Sequence, residues 1–210
     1  MKRKASYERK QRNTGRRKKK RILLISAEGV NKTEQNYFSY LAGRRLSVQF
    51  AGGNETDPVH LARHLRDSFN EYALTDEDLA VCFVDADFDT GKNEQIQAAE
   101  KIIGRLGSNA RLIVSCPCFE VWFICHYTYT TRHFTSSNDV ISFLRRYIPD
   151  YTKAGRSFYT GLTGKVHSAV RNARALERYC EALHLRPHTV EFTPSTEAYT
   201  VVEWMYSFDG

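Results

Sequence analysis

The sequence predicts an α/β protein: a mostly parallel sheet of four strands flanked by helices, followed by a helical C-terminal part. Two observations predict it. Short apolar runs alternate with amphipathic stretches from residue 21 to residue 116, and that alternation calls for parallel strands joined by right-handed crossovers. Beyond residue 117 the pattern turns mainly helical. A chain of 210 residues is long enough for one domain with a real core and an added helical lobe.

The elements follow in order. RILLISA (21–27) is a continuous apolar run bounded by a turn, as suits a strand buried on both faces. TEQNYFSYLAG reads as a helix with Thr33 as N-cap, Tyr37, Phe38 and Leu41 at helical spacing, and Gly43 as its stop. LSVQFAG (46–52) reads as the second strand. In the second helix Asp57 is the cap, Pro58 takes the first position, and Val59, Ala62, Leu65 and Phe69 form the apolar stripe. LAVCFVDAD is the third strand, NEQIQAAEKIIGRL the third helix and ARLIVSC (110–116) the fourth strand. CFEVWFICHY, NDVISFLRRYI, LTGKVHSAVRNARALERYCEALHL and TEAYTVVEWMYSF are the later candidates, the third being the most amphipathic.

The net charge of +7 conceals an asymmetry. Residues 1–21 hold 12 Lys or Arg against Glu8, which leaves 19 basic and 23 acidic residues in the remainder, a net of −4. The chain is therefore expected to divide into a basic leader, 1–20, and one domain, 21–210, with a helical C-terminal extension. A segment so poor in apolar residues is expected to be disordered or to lie along a polyanion. Arg16, Arg17, Lys18, Lys19 and Lys20 are its candidates for phosphate contact. A solubilising tail is an equal alternative. The five cysteines lack paired spacing and are expected to be reduced structural thiols. No apolar run approaches the ~20 residues of a membrane helix, and no apolar signal-peptide core follows the basic start. A cytoplasmic protein without a membrane partner is expected.

The chemistry is carried by acids at strand ends. In FVDADFD an extended chain would point Asp85 and Asp87 to one side, so that both aim oxygens at one hard cation. Glu28 follows the first strand, with Gly29 allowing a tight turn. Ligands of open parallel sheets collect beyond the carboxyl ends of the strands, so the three acids are expected to meet there and hold one or two divalent cations. Clustered carboxylates repel unless a cation binds. Glu34 at a helix start and Asp89 in DTGKN have ordinary structural explanations.

An apolar strand ending in Glu-Gly, then Thr-Glu with NYF, a strand ending in Asp-x-Asp, CPCFEVWFICHY and PSTEAYTVVEWM together resemble the RloB family of bacterial proteins. Cys116 stands where that family commonly carries Asn. RloB-like proteins are similar to Toprim domains, and the resemblance implies a Toprim-like fold in which Glu28 is a metal ligand or general acid/base and Asp85 and Asp87 bind Mg²⁺ or Mn²⁺. It also implies an antiphage-defence setting of restriction-modification or abortive-infection loci, with an AAA- or ABC-type ATPase as partner.

Such a cluster suits phosphoryl transfer, with Glu28 moving the proton and Lys32 stabilising developing charge, although a solvated surface lysine is the commoner explanation of Lys32. Glu120, set among Phe119, Val121, Trp122 and Phe123, needs a partner for its carboxylate. It either bonds structural groups or joins the acids, the family motif favouring the latter as a catalytic residue. His126 reads as a packing histidine. Arg171, Arg174 and Arg178 share one helix face, either solvated or gripping nucleic-acid phosphates, with Tyr151, Phe158 and Tyr159 nearby to stack on bases. The expected function is a Mg²⁺-dependent nuclease acting on DNA or RNA, tRNA included. The alternative is a nucleic-acid-binding or ATPase-docking subunit without catalysis. Oligomeric state stays open, a homo-oligomer included.

Overall fold

The computed structural model describes residues 20–29, 33–42, 44, 46–52 and 56–207. Arg16, Arg17, Lys18 and Lys19 of the leader, Lys32 and Gly43 lie outside the described residues. The order is β1 (Ile22–Ser26), α1 (Thr33–Ala42), β2 (Ser47–Phe50), α2 (Pro58–Glu71), β3 (Leu79–Asp85), α3 (Lys92–Ile103) and β4 (Ala110–Cys116). Then come α4 (Glu120–Cys125), α5 (Ser137–Leu144), α6 (Tyr159–Thr163), α7 (Val166–Ala182), β5 (Ser195–Thr196) and α8 (Ala198–Tyr206).

The sheet runs β2-β1-β3-β4-β5, and its first four strands are parallel as expected. The fifth is an antiparallel edge of two residues, pairing Ser195 and Thr196 with Cys116 and Ser115. TEAYTVVEWMYSF thus contributes a strand residue as well as a helix. The segment expected as one long helix divides into α6 and α7, because Lys165 leaves helical geometry at φ −112° and ψ 3°.

Alternation along the strands fills two cores. Leu23, Ile25, Val81, Phe83 and Ile113 face Tyr37 and Phe38 of α1 and Trp122 and Phe123 of α4. Leu24, Ala80, Cys82, Val84 and Leu112 face Leu61 and Leu65 of α2 and Ile96 and Ala99 of α3. Burial on both faces explains why these strands read as unbroken apolar runs. The expected cap of α2 is present, the Asp57 carboxylate accepting from the His60 amide at 2.9 Å, while Leu61 replaces Val59 in the buried stripe. Thr33 opens α1, but its hydroxyl donates to the Lys153 carbonyl at 3.2 Å. Buried Asp78 accepts from the Ile22 amide at 2.7 Å and from the Thr75 amide and hydroxyl at 2.9 Å each, which ties the starts of β1 and β3 together. All five cysteines are free and buried, as expected. Among the described residues no helix is long and apolar enough to cross a membrane.

His126 is the packing histidine the sequence indicated. It is buried, with Nδ1 2.9 Å from the Trp122 carbonyl and Nε2 3.2 Å from the Tyr37 hydroxyl. Neutral imidazole satisfies both partners, donating to the carbonyl and accepting from the hydroxyl. Burial, and then the charge of Lys165, lower its pKa from 6.5 to about 4 despite the Trp122 carbonyl. Between those values the unfolded chain takes up a proton that the folded chain refuses, so this contribution to stability is lost as pH falls. At about 1.4 kcal/mol per pKa unit, the loss from pH 7 to pH 5 is about 2 kcal/mol. Urea unfolding at both pH values should show His126→Gln losing about 2 kcal/mol less than the parent over that interval. Parallel pH profiles would contradict a neutral buried imidazole.

Candidate functional site

Parallel pairing of β1 with β3, in the register Ser26 to Cys82, sets Glu28 and Asp85 at the same carboxyl edge. Gly29 has φ +74°, a left-handed turn that glycine adopts without strain, and the chain leaves the sheet there. Burial raises the pKa of Glu28 from 4.5 to about 7, with Asp87 adding to the rise and Lys92 and the Asp85 amide opposing it.

β3 ends at Asp85, and Asp87 has φ +50°, so the two side chains do not alternate as on an extended strand. The expectation that both aim at one point is corrected here. A left-handed residue turns the chain, and the two carboxylates part. Asp85 turns inward, its Oδ1 accepting from the Phe119 amide at 2.8 Å. Its pKa lies well above the usual carboxylate range through desolvation and the nearby charges of Glu34, Glu120 and Glu28. Asp87 turns outward to Lys92 and to the Ser137 hydroxyl, which donates to it at 3.1 Å.

Lys92, at the start of α3, holds the outer part of the site together. Its Nζ lies 2.7 Å from Asp87 Oδ2, 3.0 Å from the Asp85 carbonyl and 3.5 Å from Glu28 Oε1. Burial works to lower its pKa, but the hydrogen bond to Asp87 and the charge of Glu28 outweigh it and the net shift is upward. The inner part gathers Glu34, Asp85 and Glu120 around Lys153. Glu120 is 1 % exposed; its Oε1 accepts from the Tyr151 hydroxyl at 2.8 Å and lies 3.6 Å from Lys153 Nζ. Glu34 is pushed up to about 7 by burial, with Glu120 and Glu28 adding to the rise.

The edge thus brings together Glu28, Asp85, Asp87 and Glu120, with Glu34 added. For Glu34 the helix-start explanation is incomplete, since its carboxyl is buried beside other acids. Asp89 is a turn residue, accepting from the Gly91 amide at 2.9 Å. Sequence reasoning missed Lys92, which stood in DTGKN as part of a turn, and Ser137, which carries no motif. It also misjudged Tyr151 and Tyr159, each 1 % exposed and unable to stack on bases. Lys20 is exposed. Arg171, Arg174 and Arg178 are exposed on α7 and line a groove against α8, sharing no residue with the acids.

The donors fit a divalent cation in kind. All are carboxylate oxygens, the ligands that Mg²⁺ and Mn²⁺ take, and Glu28 Oε1 and Glu120 Oε2 are buried with no hydrogen-bond partner. As arranged, however, no three His, Cys, Asp or Glu among the described residues are grouped to hold a metal ion. The Lys92 ammonium lies between Glu28 and Asp87, and the Phe119 amide takes one oxygen of Asp85.

No curated protein and no solved structure matches the chain. The family model described as "RloB-like protein" matches residues 23–205, from β1 to the last turns of α8. The chain belongs to the RloB-like family.

Proposed function

We propose that the protein is a divalent-cation-dependent nuclease, hydrolysing phosphodiester bonds in DNA or RNA, tRNA included, in antiphage defence. The observation that carries the reading is the gathering of five acids at the carboxyl edge of a parallel sheet, where Glu120 Oε2 is buried with no hydrogen-bond partner and Glu28 Oε1 has only the Lys92 ammonium at 3.5 Å. Buried negative charge of that kind calls for a cation from outside the chain. Glu28, Asp85 and Asp87 would hold it, and Glu34 and Glu120 would add negative charge behind them. Mg²⁺ or Mn²⁺, when bound, supplies charge neutralisation at the phosphate and a more acidic water. Glu28, just beyond the end of β1, is suited to accept a proton and return it. Lys92 is suited to stabilise charge on phosphate oxygens, a role the sequence suggested for Lys32. The leader, from Arg16 to Lys20, would add phosphate contacts, and a separately encoded AAA- or ABC-type ATPase would control the activity.

One observation favours the second reading, a nucleic-acid-binding or ATPase-docking subunit without catalysis. Lys92 already neutralises Glu28 and Asp87. Labelled DNA, mRNA and tRNA incubated with the protein in Mg²⁺, Mn²⁺ or EDTA separate the two. Metal-dependent cleavage is expected, falling by about 10²- to 10⁴-fold in Glu28→Gln, as for a lost general acid or base, and abolished in Asp85→Asn and Asp87→Asn. Asn keeps an acceptor for the Phe119 amide, so Asp85→Asn should remain folded. The rise in melting temperature given by Mg²⁺ should shrink in both Asp variants. No cleavage by the parent in either metal, or cleavage that all three substitutions leave unchanged and that therefore does not arise at these acids, would leave the second reading standing.

Lys92→Gln tests the charge balance directly. In metal-free buffer it should destabilise the protein by about 1–3 kcal/mol, less than a fully buried broken pair because Asp87 keeps 44 % side-chain exposure. Saturating Mg²⁺ should then raise the melting temperature of the variant more than that of the parent, since the acids have lost their internal counter-ion. Equal shifts in scanning fluorimetry would mean that lysine and metal do not compete.

A further inference from the structure

Away from the acids, α7 and α8 enclose a groove of about 550 Å³. Val166, Val170, Val202 and Tyr206 are its apolar lining, Val166 and Val202 buried and Val170 and Tyr206 half-buried. Arg171, Arg174 and Arg178 line it as well, all exposed. The single acid in the lining, Glu203, is taken by Arg174 at 2.6 Å. Among the described residues neither Arg171 nor Arg178 has an ion-pair or hydrogen-bond partner.

We propose that this groove docks a helical segment of a partner protein that carries carboxylates along one face and aliphatic side chains beside them. Charge complementarity defines the occupant. Arg171 and Arg178 stand seven residues apart, about 10 Å along the helix, and carboxylates at positions i, i+3 and i+7 of a facing helix repeat that spacing. Arginine suits the task because its planar fork pairs with carboxylate by two parallel hydrogen bonds. The lining favours protein over nucleic acid, since an unpaired strand stacks successive bases on several exposed rings and the groove offers one Phe, Tyr or Trp ring, the half-buried Tyr206. The lining runs along α7 from Val166 to Arg178, so it suits side chains of a helix lying along it more than a compact ligand. It shares no residue with the acid cluster, and this docking stands whether or not the chain is a nuclease.

The test uses the full chain at about 0.15 M salt, where exposed charges farther apart than about 8 Å are largely screened. The probes are a fluorescein-labelled helical peptide with Glu at i, i+3 and i+7 and Leu on the adjoining flank, a scrambled peptide of the same composition, and a single-stranded oligonucleotide. Fluorescence anisotropy should show the patterned peptide binding at least about tenfold more tightly than the scrambled one, with the ratio falling to about one when Arg171→Glu and Arg178→Glu are combined. The basic leader attracts both peptides alike, so the ratio isolates the groove. Both arginines are exposed, and an unchanged melting temperature confirms the fold of the variant. A ratio near one in the parent, or a ratio that survives the double substitution, overturns the proposal. So does a double variant that loses the oligonucleotide while keeping the peptide ratio, which would make the stripe a nucleic-acid surface.

Discussion

Charge confinement at one sheet edge is the constraint on which the working end of the molecule depends. Glu28, Glu34, Asp85, Asp87 and Glu120 gather there, with Lys92 and Lys153 as the ammonium groups beside them. Buried carboxylates in such company keep protons that exposed ones would lose, which is why Glu28 and Glu34 are pushed up to about 7 and Asp85 higher than usual. Local architecture follows from meeting this charge. The Phe119 amide turns toward Asp85, α3 opens with a lysine that reaches back to β3, and the loop after α5 brings Tyr151 and Lys153 to Glu120. Glu120 Oε2 stays without a hydrogen-bond partner, and Glu28 Oε1 has only the Lys92 ammonium, 3.5 Å away. A further cation would lower the free energy of this arrangement more than that of the unfolded chain, whose acids are dispersed in water.

The fold was legible wherever a single element determined its own geometry. β4 was bounded at Ala110 and Cys116 because an apolar run between turns describes a strand buried on both faces. α2 was legible from Asp57, Pro58 and its stripe, since cap, first-turn proline and burial all act within one helix. β5 was not legible. Ser195 and Thr196 are polar and number only two, and they become a strand by meeting β4, where the hydroxyls of Ser115 and Thr196 lie 2.8 Å apart. Such pairing between residues far apart in sequence leaves no local periodicity to read.

The site divides along the same line. Glu28 and Asp85 were legible because a strand end in a parallel sheet has one destination. Asp87 was placed at the right edge and pointed the wrong way, since the extended-chain argument holds only while φ stays in the β region, and φ here is +50°. Lys92 joins the acids only after α3 has packed against the sheet, and nothing in DTGKN encodes that approach. Tyr151 and Tyr159 looked like exposed aromatics beside basic residues, yet they close an aromatic cluster with Phe123 and Phe158. Aromatic rings bury large areas and prefer edge-to-face company. Four within reach of each other are accordingly stronger evidence of a core than of a binding surface.

α7 connects the two chemically distinct regions of the molecule. Ala169, Ala173 and Leu176 on one of its faces enter the core that α4 also fills, and the Asn172 amide donates to the Cys125 carbonyl at the end of α4 at 2.8 Å. The first residue of α4 is Glu120. The opposite face of α7 carries the arginines. Small side chains toward α4 let the two helices approach closely, and a close-packed helix pair moves as a unit rather than deforming continuously. The arginine-bearing helix is thus packed directly against the helix that begins at Glu120, one residue after the Phe119 amide that holds Asp85.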